Sequence, residues 1–245
     1  MNAAFPNLLR DRLVAMAEAD PHILGAAFTG SLALGEGDRW SDIDLVLAVQ
    51  GSPVSTADAW VTRLHAHFGV AHHWDLPTTD HRVIRVFLML DGVEVDLSFV
   101  PEDDFGARGP QWKTLFGDQH ILEPFPAPTL DTLVGLAWHH GRHTRVCLER
   151  DRLWQAEHWV GALRTQVIAL ACLRLGLPTA YAKGAHHLPK SFTETLGPTL
   201  VREPTSPEIL RALSALTDVL VEELNRSAPE AAARLRPHLK AWSSP

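Results

Sequence analysis

Cysteine is scarce in this chain. Cys147 and Cys172 are the only two among 245 residues, each in an apolar, helix-like stretch, and no CxxC pair exists. That excludes a disulfide framework; reduced buried thiols in a reducing cytoplasm are the expectation. A basic run is also missing, and the formal charge is 22 − 29 = −7. Proteins whose main task is gripping nucleic acid usually carry a basic face, so nucleic acid is disfavoured as a partner. An acidic surface suits a cationic small substrate, and a charge of this size also serves solubility. No window approaches roughly 18 uncharged apolar residues, so no membrane span is expected. The N-terminal stretch mixes charges into its apolar residues and lacks a cleavage pattern, so it does not read as a signal peptide. Internal repeats and low-complexity tracts are absent.

What is present is ordinary for a globular protein. Hydrophobic residues make up 46% and charged residues 21%, enough for a proper core in one large domain or two modest ones. Leu8, Leu9, Leu13, Val14 and Met16 have helical spacing within 7–19. Residues 22–29 and 43–50 read as buried strands, the second broken by Gly51-Ser52-Pro53. A crossover helix is expected over 55–68. Strands at 82–90 and 93–100 flank Asp91-Gly92, a strong hairpin signal. Four prolines between 110 and 128 mark a passage between domains. Beyond it the pattern is helical, at 130–149, 152–176, 207–225 and 229–241, with Gly176 and Pro178 closing the second of these. The expected organisation is an α/β (α+β) domain over 1–109, a connecting segment over 110–128 and an all-α domain over 129–245.

The chemistry concentrates between Gly30 and Leu45. Asp42 and Asp44 stand two apart at the start of a strand, so both carboxylates project to one face while Ile43, Leu45 and Leu47 face the core. Neighbouring carboxylates repel unless a cation sits between them, and hard oxygen ligands suit magnesium. On 93–100, Glu94, Asp96 and Ser98 share a face opposite Val93, Val95, Leu97 and Phe99. Asp96 lies mid-strand, where an unpaired charge is costly, and a metal beside Asp42 and Asp44 accounts for it. Glu94 is its competitor, placed nearer the hairpin turn and so better solvated. Gly30 permits close approach of backbone to a phosphate, and Ser31 supplies a hydroxyl and an N–H, aided by any helix that begins there.

Gly30-Ser31, then Ser41-Asp42-Ile43-Asp44-Leu45, then Asp96 on a later strand, resembles the signature of the DNA polymerase beta superfamily of nucleotidyltransferases. The Ser-Asp-Ile-Asp-Leu form is similar to its small-molecule branch, notably the aminoglycoside nucleotidyltransferases. The likeness covers about 70 residues, Gly30 to Val100. It implies a nucleotidyltransferase domain with a small mixed sheet, followed by a helical-bundle substrate domain. It also implies two magnesium ions on Asp42, Asp44 and Asp96, with ATP or another nucleoside triphosphate as donor. A nucleotidyl group, AMP by expectation, would pass to a hydroxyl of a small molecule, with an aminoglycoside-like antibiotic as the best single guess. A protein acceptor, as in toxin–antitoxin nucleotidyltransferases, and a non-catalytic nucleotide-sensing module are the alternatives. The long helical half favours a separate substrate domain. Monomer and homodimer are both open.

Weaker signals surround this motif. Arg85, on the strand face opposite Ile84 and Val86, either reaches a phosphate or stays a surface charge. Arg39 and Ser41 carry no assigned role. In the helical half the resemblance implies a carboxylate acting as the acceptor's general base: Glu157 is the candidate, near Trp154 and Arg164, with Glu149 and Asp151 as rivals. Lys183, in the loop after that helix, is a candidate for the triphosphate. His139 and His143 have a spacing that can bind zinc, but no HExxH motif or cysteine accompanies them.

Overall fold

The computed structural model describes residues 4–78 and 80–244; the first three residues of the N-terminal stretch lie outside them. The chain divides into two compact units, Met1–Phe125 and Pro126–Pro245.

In the first unit, α1 (Ala4–Glu18) leads into β1 (Ile23–Thr29), a one-turn helix α2 (Gly30–Leu34) and β2 (Ile43–Val49). Helix α3 (Pro53–His67) follows, then β3 (Val70–Leu76), β4 (Val83–Met89), β5 (Glu94–Pro101) and β6 (Trp112–Phe116). The six strands form one mixed sheet in the order β3-β4-β5-β2-β1-β6, in which only the central β2–β5 pair is parallel. Alternation sends Ile43, Leu45 and Leu47 of β2 and Val95, Leu97 and Phe99 of β5 to one face, where they are buried with Leu9 and Leu13 of α1 and Trp60 and Leu64 of α3. Ser52 caps α3 by accepting from the Ser55 N–H, with Pro53 set at the first turn. The opposite face has a smaller cluster, Ala27, Ala48, Val100 and Phe105 with Trp112 against it. Gly30, Asp42 and Asp96 stand at the other end of these strands, beyond that cluster.

Two strands depart from the sequence reading. β3 was not expected: His72, His73 and Asp75 interrupt its apolar residues, as an edge strand tolerates and a buried one does not. β6 lies within 110–128, the segment expected to be a connection. It pairs antiparallel with β1 as the other sheet edge and so belongs to the first unit. Its five residues sit between Pro110 and Gly117, too short a run for a periodicity signal.

The second unit holds α4 (Leu130–Glu149), α5 (Leu153–Arg174), α6 (Lys190–Leu196), α7 (Ser206–Ser227) and α8 (Pro229–Ser243) around one apolar core. Arg174 donates to the buried Glu223 at 2.6 and 3.0 Å, tying α5 to α7. Among the described residues no helix is long and apolar enough to cross a membrane.

Asp20 locks α3 against the start of β1. Its buried carboxylate accepts from Trp60 Nε1 at 2.9 Å, from Arg63 at 2.5 Å and from the His22 N–H at 3.0 Å. Burial alone raises the pKa of this group, but the three bonds and the Arg63 charge outweigh it and hold the carboxyl below its ordinary 3.8. A depressed folded-state value means stability that is present above the ordinary value and lost as pH falls through the depressed one. Asp20→Ala should therefore cost about 3 kcal/mol in a urea melt at pH 7, because it strands the indole N–H and the guanidinium. The difference from wild type should shrink in melts below pH 3.8.

Candidate metal centre

Strand β1 delivers the chain to Gly30, which takes a positive φ of 63°. A Cβ at this position would collide with Asp44 Oδ2, so the backbone approaches that carboxylate more closely than any side-chain-bearing residue permits. The one-turn helix α2 then ends on Gly35 in the left-handed region, and the Glu36 N–H donates to the Ser31 carbonyl at 3.0 Å. The return loop is tied by Asp38, which accepts from the Trp40 N–H at 2.8 Å and from Ser41 Oγ at 3.2 Å, while its own N–H donates to Ser41 Oγ. The Trp40 N–H foremost, with the Ser41 bonds, holds the Asp38 carboxyl below its ordinary value. Ser41 thus braces the loop that delivers Asp42, and Arg39 lies over the exposed Trp40 ring at 4.7 Å. Asp38 was missed in the sequence; a Gly-Asp-x-x-Ser turn pattern is the signal that marks it.

The parallel register sets Asp44 beside Asp96, and carboxylate oxygens of Asp42, Asp44 and Asp96 all lie within 4.8 Å of one another. These three form the one cluster of metal-ligating type found among the described residues. Asp96 Oδ1 is buried and has no hydrogen-bond partner among them. Its pKa is raised from 3.8 to about 7, first by burial, then by the charges of Asp44, Glu94 and Asp42. Glu94 itself is exposed at the head of β5. An all-oxygen donor set, an unpartnered buried oxygen and like charges at close range fit a hard divalent cation such as magnesium.

Arg85 lies elsewhere. Cross-strand pairing puts Val86 opposite Asp96 and Arg85 opposite Leu97, so Arg85 projects to the helix-covered face, away from the aspartates. There its buried guanidinium binds Asp75 at 2.5 and 2.8 Å and Asp58 of α3 at 2.8 Å. Asp75 foremost lifts its pKa still higher, and its charge is committed to joining β3, β4 and α3. This replaces the expectation of a phosphate contact or a surface charge.

The remaining candidates belong to the second unit. Glu157 is half-buried on α5; burial lowers the Arg164 pKa and the Glu157 charge only partly offsets this, while Arg164 donates to the hydroxyl and carbonyl of Thr199. Among the rivals, Glu149 pairs with Arg145 at 2.6 Å, and Asp151 sits in the turn after α4 with φ 52°. Lys183 is exposed beyond Tyr181 and Ala182, which both take positive φ. His139, His140 and His143 crowd the Trp159 ring with centroids 5.1 to 6.1 Å away, and burial lowers the His140 pKa.

No protein-family model matches the chain, and no curated protein matches it. Among solved structures, the crystal structure of an aminoglycoside 6-adenyltransferase from Bacillus subtilis is similar at a TM-score of 0.40 and 13% identity. The match covers 96% of this chain and 97% of that one.

The raised Asp96 pKa means that the folded protein binds this proton more tightly than the unfolded chain. Its stabilising contribution is complete below 3.8 and is lost as pH rises towards 7. Asp96→Asn should therefore melt at a higher temperature than wild type in EDTA at pH 8, with a smaller gain at pH 5. Magnesium should raise the melting temperature of wild type and leave the variant unmoved. Gly30→Ala, which pushes on Asp44, should weaken magnesium binding about tenfold in a calorimetric titration.

Proposed function

We propose that the chain is a magnesium-dependent nucleotidyltransferase that moves a nucleoside monophosphate, AMP from ATP, to a hydroxyl of a small molecule. The observation that carries this reading is the gathering of three carboxylates, Asp44 and Asp96 on the parallel β2–β5 pair and Asp42 just before β2, one with a buried oxygen that has no partner among the described residues, beside the close approach at Gly30. Such a centre suits a polyanionic substrate whose charge must be neutralised before an oxygen attacks it.

Asp42, Asp44 and Asp96 would hold the magnesium, two ions by expectation. When bound, magnesium neutralises the triphosphate, activates the acceptor hydroxyl and steadies the departing pyrophosphate. The chain's own part is positioning. Gly30 lets backbone come close, and Ser31 offers its hydroxyl and N–H to the phosphates. The Asp38–Ser41 turn fixes the loop that brings Asp42 to its place.

In this reading the helical unit contributes to substrate binding. The family resemblance assigns the acceptor's proton to a carboxylate there, Glu157, and offers Lys183 to the triphosphate. It also names aminoglycoside-like antibiotics as an acceptor class. Nucleic acid is disfavoured by the charge of −7.

Asp44→Ala should abolish magnesium-dependent transfer while leaving the circular dichroism spectrum and the helical unit intact. Pyrophosphate release and product mass, with each labelled triphosphate in turn, provide the readout. Turnover retained by the variant would remove Asp44 from the assignment. A wild-type product heavier by one nucleotidyl group would fix reaction, donor and acceptor together.

A further inference from the structure

The sheet face that carries the aspartates extends sideways into an apolar surface. Cross-strand register sets Trp74 opposite Val86, Val86 opposite Asp96, and Asp96 beside Asp44, so one row crosses β3, β4, β5 and β2. Strands lie about 4.8 Å apart, which puts the Trp74 backbone roughly 10 Å from that of Asp96, the span of a small ring system. The adjoining rows add Leu76 with Ile84, and Leu88 opposite Glu94. Trp74 is 49% exposed, Leu88 46% and Leu76 38%, while Val86 between them is 8% exposed.

Trp74, Leu76 and Leu88 lie outside the main core of the unit, which packs on the other face. A contiguous exposed apolar patch next to a charged centre is the arrangement of a binding site with an apolar floor. The direction of the reaction points the same way. Gly30 and Ser31 follow β1, on the far side of the Asp44–Asp96 pair from β4 and β3. In-line displacement needs the entering oxygen and the departing pyrophosphate on opposite sides of the α-phosphorus. With the outer phosphates towards Gly30 and Ser31, the acceptor arrives over β4 and β3.

We infer that Trp74, with Leu76 and Leu88, seats the body of the acceptor, and that the acceptor is a hydroxyl compound with a flat, uncharged apolar ring system. Resting on the nucleotidyl-transfer reading, this narrows its acceptor class away from polycationic amino sugars. An amino sugar needs many hydrogen-bonding partners, and this part of the face offers it two, His72 and, opposite Leu88, Glu94. In the transfer, the acceptor oxygen bonds to the α-phosphorus as the α–β phosphoanhydride bond breaks. Pyrophosphate leaves with the electron pair, and the general base of the proposed reaction takes the hydroxyl proton.

The test uses the full chain. Equilibrium dialysis measures binding of 2-naphthalenemethanol, and of kanamycin as the polycationic comparison, with ATP and magnesium present. Calorimetry measures magnesium-dependent ATP binding separately. Trp74→Ala should weaken the naphthyl probe about tenfold and Leu88→Ser should weaken it less. Both variants should keep wild-type ATP affinity, and kanamycin should not respond to either. The inference is overturned by absence of saturable naphthyl binding to wild type, or by equal affinity in Trp74→Ala. It is also overturned by a wild-type dimer that Trp74→Ala dissociates in sedimentation, since a second copy would then cover the face. ATP binding without probe binding sinks the inference alone; no magnesium-dependent ATP binding in wild type sinks the transfer reading and the inference with it.

Discussion

Like charges held side by side on two parallel strands are the constraint from which the rest of the first unit follows. The β2–β5 register fixes Asp44 next to Asp96, and the turn after α2 adds Asp42 within 4.8 Å. Burial foremost, and then repulsion among these groups, pushes the Asp96 pKa up to about 7. A scaffold that tolerates such a centre must supply its stability elsewhere. It does so on the opposite face of the same strands, where Leu45, Leu47, Leu97 and Phe99 are fully buried with Trp60 and Leu64. The two faces are inseparable, because alternation along a strand that puts leucines into the core must put Asp44 and Asp96 on the other side.

The two charged constellations of this sheet illustrate how different a buried charge becomes with and without partners. Arg85, turned to the helical face, is bonded by Asp75 and Asp58 and fastens three elements together. Asp96, one row away and on the reverse face, is surrounded by charges of its own sign, and its Oδ1 has no bond among the described residues. Structural ion pairs satisfy themselves, whereas a site for an external cation leaves donors in want of one. That contrast, more than the mere presence of acids, separates the candidate metal centre from the other acidic positions among the described residues.

The strongly apolar strands β1, β2, β4 and β5 were legible in the sequence, as were the hairpin at Asp91-Gly92, the helices α1 and α3, and the long helices of the second unit. Both edge strands were not. β3 mixes His72, His73 and Asp75 with Trp74, and β6 is a five-residue run in a proline-rich stretch, so neither has a period strong enough to stand alone. The clustering of the three aspartates follows from strand alternation plus one fact that the sequence does not contain, the adjacency of β2 and β5. Arg85 shows the cost of lacking that kind of fact. Its face was read relative to Ile84 and Val86, but only cross-strand pairing reveals that Val86 shares the face of Asp96.

The missed edge strand matters for more than bookkeeping of elements. Without β3 the aspartate face ends at β4, and the acids look like a centre open to water on that side. With β3 in place, the row from Asp44 to Trp74 gives the face a charged half and an apolar half, joined by Val86. An edge strand ordinarily guards itself with charge, and β3 does so on the reverse face, where Asp75 meets Arg85. On the aspartate face it presents an indole and a leucine instead. Exposing apolar surface at a sheet edge invites aggregation, so a chain that keeps it next to a carboxylate cluster would have a use for it there. Chemistry and recognition would then be divided between the two halves of one sheet face, with the carboxylates handling charge and the platform selecting by shape and apolarity.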